Sequence, residues 1–187
     1  MNFRSVTAGV TGNRQAAFKH ICRYKILRSL GGSEINAFHC RFSPGRSYAI
    51  NSMRIVEDPL HPLHEQTTRR WLARTEPLWW NCLSQPLAGT PLTKRVVRSW
   101  LSRRLRQSFV ESLRKHGFDA DGKRLPSEAP GKELYGTVQL TPRPSMMTAS
   151  PEVLQNQTDH AVRLLIAQLV GHREGRRDVA TVGRDQT

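Results

Sequence analysis

The sequence predicts an α+β domain, mostly helical, in which two amphipathic helices (about 93–116 and 151–170) surround a short strand (about 133–141), with irregular N- and C-terminal tails. Three observations predict it. Val97, Leu101, Leu105, Phe109 and Leu113 recur every four residues, the spacing of a buried helical stripe. Leu134, Gly136, Val138 and Leu140 alternate with Tyr135, Thr137, Gln139 and Thr141, the period of a half-buried strand. Ser150, Pro151 and Glu152 then form a cap, a helix-first proline and an acid in the first turn.

Each element has its own boundary signals. The first helix opens after Thr93, a fair N-cap, and stops at Gly117, just past Lys115 and His116, whose charge suits a helix C-terminus. Asp119-Ala120-Asp121-Gly122 is a turn signal. Gly131 and Pro142 bound the strand. A single strand cannot form a sheet, so it needs a partner; residues 53–57 or 124–126, or a second chain, are the expected sources. The second helix buries Leu154, Ala161, Val162, Leu165 and Leu169 and ends at Gly171.

The flanks divide the chain further. Residues 1–52 form a basic segment with no acid before Glu34; Ala16–Leu30 fits a loosely amphipathic basic helix. Such a stretch predicts an import presequence or a nucleic-acid-binding tail, because a positive amphipathic helix follows an inside-negative potential. Met53 is an alternative start, since the pattern changes there to a charge-balanced, Pro-punctuated stretch that runs to residue 92. Residues 53–92 read as an irregular Pro- and Trp-containing segment, extended or turning over 53–66, with a short helix near Thr68–Arg74. Residues 93–171 form the compact core and 172–187 a polar tail.

Composition narrows the function. Apolar residues make up 37% of the 187 residues, below the usual ~45–50%, so the core is small for the length. No apolar run reaches the ~18 residues of a membrane span. Three cysteines at irregular spacing argue against a disulfide scaffold and for a reducing, intracellular compartment. The net charge is +14, carried largely by arginine. Codon bias would spread arginine evenly. Instead residues 1–50 and 93–117 each hold eight basic groups and one acid, while the rest of the chain balances. Two localised positive features follow.

Catalytic and metal chemistry find little support. His20, Cys22, His39 and Cys40 lack the paired spacing of a zinc site. Asp119, Asp121, Gly122 and Glu128 match part of a calcium loop, but Gly117 stands where the first ligand belongs and Pro126 interrupts it. No nucleophile elbow or phosphate-binding Gly-rich loop occurs. No catalytic residue, metal or cofactor is expected.

The basic helix is the main candidate. Arg95, Arg98, Arg103, Arg104, Arg106, Arg114 and Lys115 are expected to contact nucleic-acid phosphate, RNA favoured, because guanidinium binds phosphate bidentately. Trp71, Trp79, Trp80 and Trp100 are expected to stack on unpaired bases. Alternatively Leu101, Leu105 and Val110 form a 1-5-10 anchor row, and the helix docks in the groove of an acidic protein partner of calmodulin type. The remaining readings are a merely solvated charged face, or a chain without defined activity. By analogy of composition alone, small basic chains with a presequence-like start suggest mitochondrial ribonucleoprotein.

Overall fold

The computed structural model describes residues 21–22, 27–32, 34–86, 94–126 and 131–171. In chain order the elements are β1 (Ile21–Cys22), β2 (Arg28–Leu30), β3 (Phe38–Ser43), β4 (Arg46–Ser47), α1 (Ile50–Glu57), α2 (His64–Leu72), β5 (Leu78–Cys82), α3 (Arg95–Lys115), β6 (Gly136–Pro142) and α4 (Pro151–Gly171), with a 3₁₀ turn at Pro144–Met147 before α4. They fall into two compact units. One takes the described residues of Met1–Ile26 and Gly45–Thr75, the other those of Leu27–Pro44 and Glu76–Thr187.

In the smaller unit β1 pairs parallel with β4, and α1 packs on α2. Tyr48 meets Trp71 edge-on at 5.3 Å, and the Arg74 guanidinium covers the same indole at 5.1 Å. The extended segment or turn expected over 53–66 is a turn only in its middle, and both of its ends are helical. Residues 50–57 are helical, and 58–63 form two successive turns, with the His61 amide donating to the Asp58 carbonyl, the His64 amide to the His61 carbonyl, and the Asp58 carboxylate accepting from the Leu60 amide. The helix expected near Thr68–Arg74 begins earlier, at His64, and ends at Leu72.

The larger unit holds a four-stranded mixed sheet in the order β2-β3-β6-β5. β2, β3 and β6 are successively antiparallel; β5 and β6 are parallel and joined through α3. This is an α+β fold, and the lone strand around which two helices were expected is the centre of a sheet. Its partners are β3 and β5, not residues 53–57 or 124–126. Leu125 instead bonds back to Gly117, and Arg124 bridges Phe118.

β3 lies in the segment read as a basic tail, and its alternation carries it into the core. Phe38, Cys40 and Phe42 are buried, while His39 and Arg41 point the other way and are exposed. Register then sets Cys40 beside Leu140 and Phe42 beside Val138 on one face. The basic helix expected over Ala16–Leu30 gives way to strands at Ile21–Cys22 and Arg28–Leu30; its remainder lies outside the described residues, as do Thr93 and residues 172–187. β6 was expected half-buried, but Thr137 and Gln139 on its second face are also buried.

α3 and α4 lie against the Cys40–Leu140 face. Leu101, Leu105, Phe109 and Leu113 are fully buried there with Leu154, Ala161, Val162 and Leu165. Gly117 follows α3 with φ of 80°, a left-handed conformation that a Cβ disfavours. Gly122 also sits at φ 80°, and a Cβ there would come within 2.5 Å of the Leu78 Cβ. The Asp119 carboxylate closes that turn by accepting from the amides of Asp121 and Lys123.

Candidate nucleic-acid interface

α3 has three working sides, and the helical period decides which residue serves which. The four-residue stripe faces the core. A second side faces α4 and is polar. Ser112 donates to Asp159 at 2.7 Å, and Ser108, Thr158 and Gln155 complete a buried network around them. Lys115 closes it with an ion pair to the other Asp159 oxygen. Burial pushes the Asp159 carboxyl up, but hydrogen bonds from Lys115, Ser112 and Gln155 outweigh it and hold the group below the usual carboxylate range. Arg104 belongs to this side too. It donates to the carbonyls of Ala149 at 2.6 Å and Met146 at 3.2 Å, and its guanidinium lies 5.4 Å from the centre of the Trp100 ring.

The third side is basic and concave. Arg95, Ser99, Ser102 and Arg106 recur at intervals of four, three and four residues and so share one helix face. Arg98 and Arg103 flank that row. Together they wall a groove of about 390 Å³, whose opposite wall is Cys82, Leu83 and Ser84, the end of β5 and its exit. Among the described residues, no carboxylate lines it. Among the described residues, Arg95 and Arg103 find no ion-pair partner, and Arg106 reaches only the Cys82 carbonyl, at 3.5 Å. The Cys82 thiol is pushed up to about 11 by burial, against a hydrogen bond from Ser102 and the charge of Arg106. It stays protonated at neutral pH and is no nucleophile.

The expected contact residues are thus sorted. Arg95, Arg98, Arg103 and Arg106 converge on one groove. Arg104 and Lys115 are held by intramolecular partners and leave the set. Arg114 is exposed but lies two turns beyond Arg106, outside the groove. The tryptophans separate as well. Trp79 is 1% exposed and Trp71 is buried, so neither offers a ring face to a base. Trp80 packs on Phe109 with ring centroids 5.1 Å apart and donates its indole N–H to the Ala120 carbonyl at 2.7 Å. Trp100 is the exposed indole, 47% accessible, with the exposed Val96 one turn before it, but it lies away from the groove row. Leu101 and Leu105 are fully buried, so the 1-5-10 anchor row is already occupied by this domain's own core.

Sequence reasoning missed the groove's second wall, because nothing in Cys82-Leu83-Ser84 marks it as near the arginines. It also missed His39, Arg41 and Arg143. Burial, Arg143 and Arg41 together lower the His39 imidazole below its ordinary value, which marks a second cationic cluster on β3 and the end of β6. A further hollow of about 620 Å³ lies along β2 and α4, but Glu34 and His160 pair within it at 2.9 Å, and Arg28 shares the remaining lining with polar Ser29 and Gln168 and apolar Leu30, Phe42 and Leu164. Its mixed character gives no anion preference. His39 and Cys40 face opposite sides of β3, which rules them out as joint ligands. No described helix is long and apolar enough to cross a membrane.

Comparison with protein-family models, with curated proteins and with solved structures finds no match to this chain.

Proposed function

We propose that this protein binds single-stranded nucleic acid, RNA before DNA, through the arginine groove of α3. One observation carries the proposal: four guanidiniums converge on a concave groove that, among the described residues, no carboxylate lines. Arg95, Arg103 and Arg106 are exposed like charges on one side of the helix, and phosphate neutralises such a row with bidentate geometry. The row from Arg95 to Arg106 spans about 16 Å at 1.5 Å per residue, enough for three or four successive phosphates. A concave site admits a strand; it does not insert into the groove of a duplex. Ser99 and Ser102 stand beside the guanidiniums and offer partners for 2′-hydroxyls, which favours RNA.

A ribonucleoprotein setting accords with the two basic blocks of the sequence. An import presequence fits only upstream of Ile21, because Ile21–Cys22 pairs with β4 and Arg28–Leu30 with β3. The testing experiment is binding of the full chain to matched single-stranded RNA and DNA oligonucleotides. Tighter binding of RNA, weakened by Arg103→Ala and Arg106→Ala, supports the proposal; equal, salt-insensitive binding by the variants refutes it.

A further inference from the structure

We infer that the groove is built for a terminal phosphate, a phosphomonoester at the end of an RNA strand or on a free nucleotide, rather than only for internal phosphodiesters. The inference rests on the phosphate-binding reading above and narrows it.

The first support is position. β5, α3 and β6 form a strand-helix-strand unit with parallel strands, and the groove lies between the carboxyl end of β5 and the first three turns of α3. In parallel units this is where ligands collect, because amides at the helix start point outward and the helix dipole favours an anion. Among the described residues, no side chain caps the start of α3; its cap residue is Lys94, and its first turn holds no acid.

The second support is charge density. A phosphodiester carries one charge, whereas a phosphomonoester carries about 1.5 to 2 at neutral pH and presents three acceptor oxygens. Arg95 and Arg98 lie in the first turn beside the helix start, with Arg103 and Arg106 on the following turns. A doubly charged terminal group suits the pair at the helix start, and Arg103 and Arg106, further along the row, are left for the phosphodiesters that follow it.

The third support is an orphan hydroxyl. Ser84 lines the groove, and its Oγ is buried with no hydrogen-bond partner. A buried hydroxyl without a partner costs stability, and a terminal phosphate oxygen at the β5 exit would supply the acceptor.

The test uses the full chain and two RNA oligonucleotides of one sequence, one with a 5′-phosphate and one with a 5′-hydroxyl, with a nucleoside 5′-diphosphate as competitor. The phosphorylated strand is expected to bind about tenfold tighter, the effect of a charge-assisted contact. Arg98→Ala and Ser84→Ala should each reduce that preference. Arg114→Ala, outside the groove, should leave the ratio unchanged. Equal affinity of the wild-type chain for the two strands, with binding still salt-dependent, overturns the terminal-phosphate site and leaves the nucleic-acid reading standing. Binding of the diphosphate but of neither strand keeps the site and overturns the nucleic-acid reading. Binding of none of the three overturns both.

Discussion

Arg104 and Arg106 stand two residues apart on α3 and serve different ends. Arg104 is tied to the carbonyls of Met146 and Ala149, while Arg106 lines the groove against Cys82. Removing them should therefore separate stability from binding. Arg104→Ala loses two charge-assisted hydrogen bonds and should lower unfolding stability by about 1.5–3 kcal/mol, with RNA affinity nearly unchanged in the folded protein. Arg106→Ala should change stability by less than about 0.5 kcal/mol and cost about tenfold in affinity. Thermal melts and anisotropy titrations on the two variants check the split; parallel losses in both would contradict it.

The network around Ser112 and Asp159 gives a pH-dependent outcome. Asp159 has a lowered folded pKa, so its contribution to stability is complete above the unfolded carboxylate value, about 3.9, and is lost as pH falls through the lower folded value. Asp159→Asn should cost about 1–3 kcal/mol at neutral pH and flatten the acid limb of the stability curve below about pH 4. Denaturant titrations at neutral and acid pH measure both effects. A variant whose stability falls with acid as steeply as the wild type would contradict the assigned charge state.

Residues 28–43 form two strands of the sheet and place Leu30, Phe38, Cys40 and Phe42 in the core. A chain started at Met53 lacks all of them. It should show no cooperative melt and bind the apolar dye ANS, as an exposed core does. A sharp transition in that shortened chain would show that β5, β6, α3 and α4 suffice alone.

Trp79 and Trp100 were both expected to stack on bases but differ in surroundings. Trp79→Ala empties a buried site and should destabilise by about 3–5 kcal/mol. Trp100→Ala should cost less than about 1 kcal/mol, since nearly half of the residue is already in water. Acrylamide quenching of the wild-type fluorescence, compared with each variant, assigns the accessible indole to Trp100.

How much of this was legible in the sequence depends on the range of the signal. α3 and α4 carry their own periodicity, cap and stop residues, and both were found to within two residues. The Ser150 cap is made as expected, its hydroxyl accepting from the Val153 amide. β6 was visible through its alternation. β3 has the same alternation in Phe38-His39-Cys40-Arg41-Phe42, but the surrounding basic charge and lack of acids masked it. β5 shows Leu78-Trp79-Trp80 as a continuous bulky run because both of its faces are covered or partly covered, which removes the period-2 signal. α1 was hidden by the prolines just after it, which end the helix rather than prevent it. For the site, the charge block named the right helix. It did not separate Arg104 and Lys115 from their neighbours, since their partners, Met146, Ala149 and Asp159, lie more than forty residues away.

The salt dependence of RNA binding by the full chain tests the groove most directly. Neutralising three or four phosphates on a single strand gives a log–log slope of about −2 to −3. Arg103→Ala and Arg106→Ala should each make that slope shallower by about 0.7, and Arg104→Ala should leave it unchanged. A shallow slope in the wild type, or a slope that responds to Arg104 and not to Arg103 and Arg106, would contradict the groove as the phosphate-binding surface.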